Sequence, residues 1–137
     1  MNLQKTAQEL KHQNDFLNSI SKEEITFLIK ACIFELENLQ ILSEEELTQL
    51  NKVILTNEPF NNLYFKYNKE RLNTRGVIFL EEENDLEFMV SVLLYFKFRT
   101  PLMVYLSSDI QNQFYNVFIK VLNDNKASNN FIVKIDA

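Results

Sequence analysis

Carboxylates gather where three apolar runs end. VIFLE (residues 77–81) leads into Glu82, Glu83 and Asp85, PLMVYLS (101–107) into Asp109, and NFIVKID (130–136) closes on Asp136. Hard oxygen ligands converging on one point suit Mg²⁺, which takes one or two carboxylates and fills its octahedron with water or phosphate. Glu82, Glu83 and Asp109 are the candidate ligands of such a site. A phosphoryl-transfer centre would add a glycine-rich loop or a fixed Lys or Arg for the phosphates, and neither follows any of the three runs. Local helix physics accounts for the same acids. Asp85, Glu87 and Asp109 each fall where a first helical turn would begin, and negative charge is stabilised there. Glu82 and Glu83 fill a short polar connection. The acids read first as strand exits and helix starts, with a divalent-metal enzyme as the alternative. The expectation is no enzyme, no cofactor and no metal.

Other chemistries fall more quickly. The one histidine, His12, lies on the polar side of a helical pattern, so no Ser–His–Asp or Cys–His arrangement can be built around it. The one cysteine, Cys32, sits between Ala31 and Ile33 in an apolar helix and reads as a small core residue rather than a reactive thiol. Zinc sites of Cys and His are excluded by count. Ser107-Ser108 follows a strand-like run without the glycines of a nucleophile elbow, and a capping role suffices. YFKYNKERLNTR, residues 64–75, interleaves three aromatics with Lys66, Lys69, Arg71 and Arg75. That mixture can stack single-stranded bases, but core aromatics beside a solvated basic loop are the plainer reading.

The elements that would position these residues follow from periodicity. Residues 2–18 place Leu3, Ala7, Leu10, Asn14 and Leu17 on one helical seam. Docking onto the rest of the domain is the expectation, with coiled-coil pairing as the alternative. Ser21 to Glu24 is a capping box opening a helix to about Ile41, apolar almost all round and so expected to be buried on most sides. Ser43 to Glu46 repeats the box and opens a third helix that ends before Pro59. A short strand is predicted at 63–67. Thereafter VIFLE, a helix over 85–98 capped by Asn84, PLMVYLS, a helix over 109–123 capped by Ser108, and NFIVKID alternate strand and helix. Apolar strands with crossovers of helical length are the signature of a small parallel sheet. The fold class is therefore α/β in a single domain: three N-terminal helices (1–58) packed on a mainly parallel sheet with β-α-β-α-β order (60–137). The helices are expected to cover the sheet face that the crossover helices leave open. The expected core of this half is Val77, Phe79, Leu93, Val104, Phe118 and Val133.

Length and charge bound the function. A chain of 137 residues is one domain with a real core. One glycine implies few turns needing positive φ. Abundant Phe, Asn, Ile and Lys suggest an AT-rich genome, bacterial or phage. The polar opening MNLQKTAQELKHQ carries no signal-peptide pattern, Lys97, Arg99 and Pro101 interrupt the longest apolar stretch, and a cytoplasmic protein is expected. Net charge is −5, and residues 1–60 hold ten acids against five bases while the remainder balances at nine of each. With no spanning stretch, no membrane partner is expected. An acidic protein is a poor partner for free nucleic acid. It is a good one for a basic protein, since charge complementarity gives fast, specific association. Glu35, Glu37, Glu44, Glu45 and Glu46 are the candidate contact residues. The reading is an inhibitor, immunity, antitoxin or regulatory type of protein. A chaperone-like or homodimerising adaptor that uses the N-terminal helices is the alternative. PLMVYLS…FYNVFIKVLND…NFIVKID loosely resembles the strand–helix–strand end of barstar-type ribonuclease inhibitors; it spans under a third of the chain, holds no specific motif and follows a three-helix segment that such inhibitors do not share.

Overall fold

The structure, a computed structural model, describes residues 3–12, 15–56 and 77–135. The strand predicted at 63–67, the basic aromatic stretch 64–75 and Asp136 lie outside the described residues, as does the side chain of His12. The elements are α1 (Leu3–His12), α2 (Asp15–Ser19), α3 (Lys22–Leu39), α4 (Glu44–Leu55), β1 (Ile78–Glu81), α5 (Asp85–Lys97), β2 (Leu102–Tyr105), α6 (Asp109–Asp124) and β3 (Ile132–Ile135). The helical pattern read over 2–18 is described as α1 and α2, and residues 13–14 between them lie outside the described residues. The strands form a parallel sheet in the order β1-β2-β3, with Ile78 opposite Leu102 and Leu102 opposite Ile132. This is the α/β arrangement expected.

The layers differ from expectation in an informative way. Ile78, Leu80, Leu102, Val104 and Ile132 share one face of the sheet and one core with α5, α6, α3 and α4. The opposite face carries Val77, Met103 and Ile135, and α1 covers it with Ala7 and Leu10. Among the described residues, then, α1 alone does what three helices were expected to do, while α3 and α4 pack on the outer side of the crossover helices. The cause is α5. Its sequence is apolar on every side, with Phe88, Met89, Val92, Leu93, Leu94, Tyr95 and Phe96 all buried. Such a helix needs neighbours on both sides, and α3 and α4 supply the second.

It follows that α3 is an outer helix. It buries one stripe, Ile25, Leu28, Ile29, Cys32, Ile33 and Leu36, at the spacing of a single helical face. Phe27, Phe34 and Leu39 remain 56%, 61% and 48% exposed. The expectation that α3 is buried on most sides is corrected: that description belongs to α5. Of the expected core residues, Val77, Leu93, Val104 and Phe118 are buried, while Phe79 and Val133 are half-buried on the α1 side. A chain of stacked and edge-on rings, Phe16, Phe131, Phe96, Phe118 and Phe114, ties α2, the entry to β3, α5 and α6 together.

Glycine scarcity does not remove left-handed turns. Gln40, Arg99 and Lys126 take φ of 57°, 62° and 59° at the ends of α3, α5 and α6. After α5, Arg99 N–H donates to Phe96 O and Thr100 N–H to Tyr95 O. After α6, Lys126 N–H donates to Asn123 O and Ala127 N–H to Leu122 O. Both are Schellman endings, whose left-handed position ordinarily takes glycine. A side chain there costs about 1–2 kcal/mol. Lys126→Gly is therefore expected to stabilise the protein by about 0.5–1 kcal/mol, read from denaturant midpoints, because relief of the strain outweighs the entropy that glycine adds to the unfolded chain. An unchanged or lower midpoint would show that the Lys126 side chain contributes more than its backbone costs.

Candidate functional site

The carboxyl ends of the strands are where parallel sheets bind ligands, so the acids there are the first place to look. One buried residue organises the edge. Gln111, in the first turn of α6, is fully buried. Its Nε2 donates to Glu82 O at 2.6 Å and to Asp85 Oδ1 at 3.3 Å, and its Oε1 accepts from Ser107 N–H at 3.0 Å. The Ser107 hydroxyl lies 3.2 Å from Gln111 Oε1 and 3.3 Å from Glu82 O, two acceptors for one proton. Ser108 caps α6 by accepting from Gln111 N–H at 3.1 Å, and its hydroxyl donates to Asp85 Oδ1 at 2.6 Å. The connection after β1 is thereby latched to the connection after β2.

The acids divide accordingly. Asp85 is held in the latch. Glu82 gives its carbonyl to Gln111, and its carboxylate accepts from Asn84 N–H at 3.1 Å. Asn84 caps α5 by accepting from Glu87 N–H, so Glu82 fills the return half of a capping box, the role a third-position acid such as Glu87 ordinarily takes. Glu81, Glu83 and Asp109 are exposed. The structure does not bring Glu82, Glu83 and Asp109 together: among the described residues no three His, Cys, Asp or Glu side chains converge as metal ligands would. Gln111 itself was legible only as a polar residue on the helical face of Phe114 and Phe118.

Cys32 is buried, and burial, with Glu35 adding to it, pushes its thiol far above the ordinary range. It is held as the neutral thiol, the unreactive form.

The acids proposed as contacts lie at the outer layer. Glu37 is exposed near the end of α3, and Glu44 and Glu45 are exposed in the first turn of α4. Glu46 is tied into a complete capping box, accepting from Ser43 N–H at 2.9 Å while Ser43 Oγ accepts from Glu46 N–H at 3.1 Å. Glu35 is half-buried and acts on Lys120 of α6, whose ammonium is held above its usual range by Asp124 first and by Glu35 as well. Phe27 and Phe34 are seven residues apart, two helical turns, and so share one outer face of α3. By the helical repeat, Glu23 and Glu37 border that face on one side and Glu24 and Glu35 on the other, with Lys30 the one base among them. Sequence reasoning found the acids but not the aromatics between them.

No helix among the described residues is long and apolar enough to cross a membrane. No family model matches this chain, and no curated protein or solved structure matches it either.

Proposed function

We propose that this protein is a binding module that covers a basic protein partner with the outer face of α3 and the start of α4, as an inhibitor, immunity or antitoxin type of protein does. The observation that carries the reading is the exposure of Phe27 and Phe34 on one helical face bordered by four glutamates. Single exposed apolar residues are ordinary on protein surfaces. Two rings aligned on one helix inside an acidic border have the composition of an interface centre: aromatic anchors give affinity, and border charges set the rate and choice of partner. A second copy of the chain would bring the same glutamates against themselves, so a partner with Lys and Arg around an apolar patch fits better.

The adaptor alternative draws less support. Ala7, Leu10 and Leu17, the described apolar residues of its proposed seam, are all buried within the chain. The metal-enzyme alternative finds no group of three convergent acidic, His or Cys ligands among the described residues.

The test is paired capture from the native host, using the wild-type protein and the double variant Phe27→Ser/Phe34→Ser. Both residues are more than half exposed, so the variant is expected to keep its helical spectrum and melting temperature. A basic protein retained by the wild type and lost by the folded variant is the expected result. Identical capture profiles would overturn the reading.

A further inference from the structure

A second feature stands apart from the acidic face. A cavity of about 190 Å³ opens between the start of α3, the end of α4 and the turn after α5. Three cations line it, Lys22, Lys97 and Arg99, together with the Thr26 hydroxyl and an apolar wall of Ile25 and Phe98. In a chain with net charge −5, such a grouping, with no acid in its lining among the described residues, calls for a cause. Among the described residues the one side-chain ion pair is Lys120 with Asp124, on another helix.

Part of the cause is structural. Lys97 Nζ donates to the carbonyls of Val53, Ile54 and Thr56 at 2.9, 2.7 and 2.5 Å, closing the end of α4. Arg99 Nη1 donates to Leu17 O and Ile20 O, both at 2.6 Å, closing the end of α2. These bonds use all three hydrogens of Lys97 and both on Arg99 Nη1. They leave Arg99 Nη2 and Nε with donors to spare. Lys22 Nζ and the Thr26 hydroxyl have no side-chain or carbonyl partner among the described residues. Lys22 also acts on Lys97, lowering its proton affinity in addition to the larger effect of burial. Two like charges are thus held near each other with unused donors beside them, an arrangement an anion would relieve. The first turn of α3 adds to the field: Ser21 Oγ satisfies Glu24 N–H alone among the first turn's free amides.

We propose that this cavity binds a phosphate group, free or carried by a small ester, through Lys22, Thr26 and the outer edge of the Arg99 guanidinium, with Lys97 as a fixed half-buried charge. Tetrahedral oxyanions take donors from several directions, which these three groups provide, and Arg suits them particularly. Phe98 and Ile25 would lie against the organic part of an ester. The inference is independent of the partner-binding face.

Titration of the full chain with inorganic phosphate and, separately, with adenosine monophosphate, followed by calorimetry and amide NMR shifts, tests this. Saturable binding with Kd of about 1 mM or below is expected, with shifts centred on Lys22, Thr26 and Arg99. Tighter binding of the nucleotide would identify an ester ligand, and equal binding free phosphate. Lys22→Gln removes an exposed group and should leave the fold intact while weakening binding about tenfold. Arg99→Gly keeps the left-handed turn but removes the guanidinium; since it also uncaps α2, its binding is read only alongside its melting temperature. Non-saturable shifts in the wild type, or a Kd unchanged in Lys22→Gln, would overturn the proposal.

Discussion

Leu93→Ala should lower stability by about 2–5 kcal/mol, the range for emptying a fully buried leucine site. Leu93 is fully buried in the middle of α5, the helix enclosed by the sheet on one side and by α3 and α4 on the other. Closing the cavity would require movement of several layers at once, so the site has little room to collapse. For a domain of this size each kcal/mol corresponds to roughly 3–5 °C in Tm, and thermal unfolding followed by circular dichroism would show the loss plainly. A variant melting within a degree or two of the parent would mean that α5 is not the enclosed centre of the fold.

Gln111→Glu should be nearly as damaging at neutral pH and, unlike Leu93→Ala, should recover in acid. Gln111 Nε2 lies against two acceptors, Glu82 O and Asp85 Oδ1. A carboxylate there would face a carbonyl and another carboxylate with nothing to donate, a buried repulsion costing about 2–4 kcal/mol. The introduced acid would have a folded-state pKa above its unfolded value, because the neutral form alone can donate to Glu82 O. Such a group binds its proton more tightly when folded, so the variant regains stability relative to wild type as pH falls through the raised folded pKa. Urea midpoints at pH 7 and near pH 5 would measure this. A pH-independent difference between variant and wild type would show that the latch does not depend on the Gln111 amide donor.

The sequence carried the C-terminal half well, and the reasons are physical. VIFLE, PLMVYLS and NFIVKID are short apolar runs set apart by helical lengths, and a parallel sheet is the arrangement such spacing permits. Ser43, Asn84 and Ser108 announced their helix starts because capping is a local interaction. Burial of α3 was misjudged because its composition resembles that of α5. Which of two apolar helices lies inside depends on packing partners distant in sequence. The latch was hidden for the same reason: Gln111 meets Glu82 and Asp85 only once β1 and β2 are neighbours. Lys97 and Arg99 read as interruptions of an apolar stretch, whereas their partners are carbonyls at the ends of helices some forty and eighty positions earlier. Of the five proposed contact acids, sequence could not show that Glu46 is held by its own cap or that the charge of Glu35 helps raise the proton affinity of Lys120.

The central claim is that the acidic, aromatic outer face of α3 and α4 engages a basic partner. Its most direct test is the association rate of the captured partner with wild-type protein and with Glu37→Gln/Glu44→Gln/Glu45→Gln, at low and at physiological salt. These three carboxylates are exposed, and at the border of an interface such charges act on the on-rate and its salt dependence rather than on the fold. A several-fold slower on-rate for the variant at low salt, with the difference shrinking as salt rises, is the predicted result. On-rates equal to wild type at both salts would contradict it.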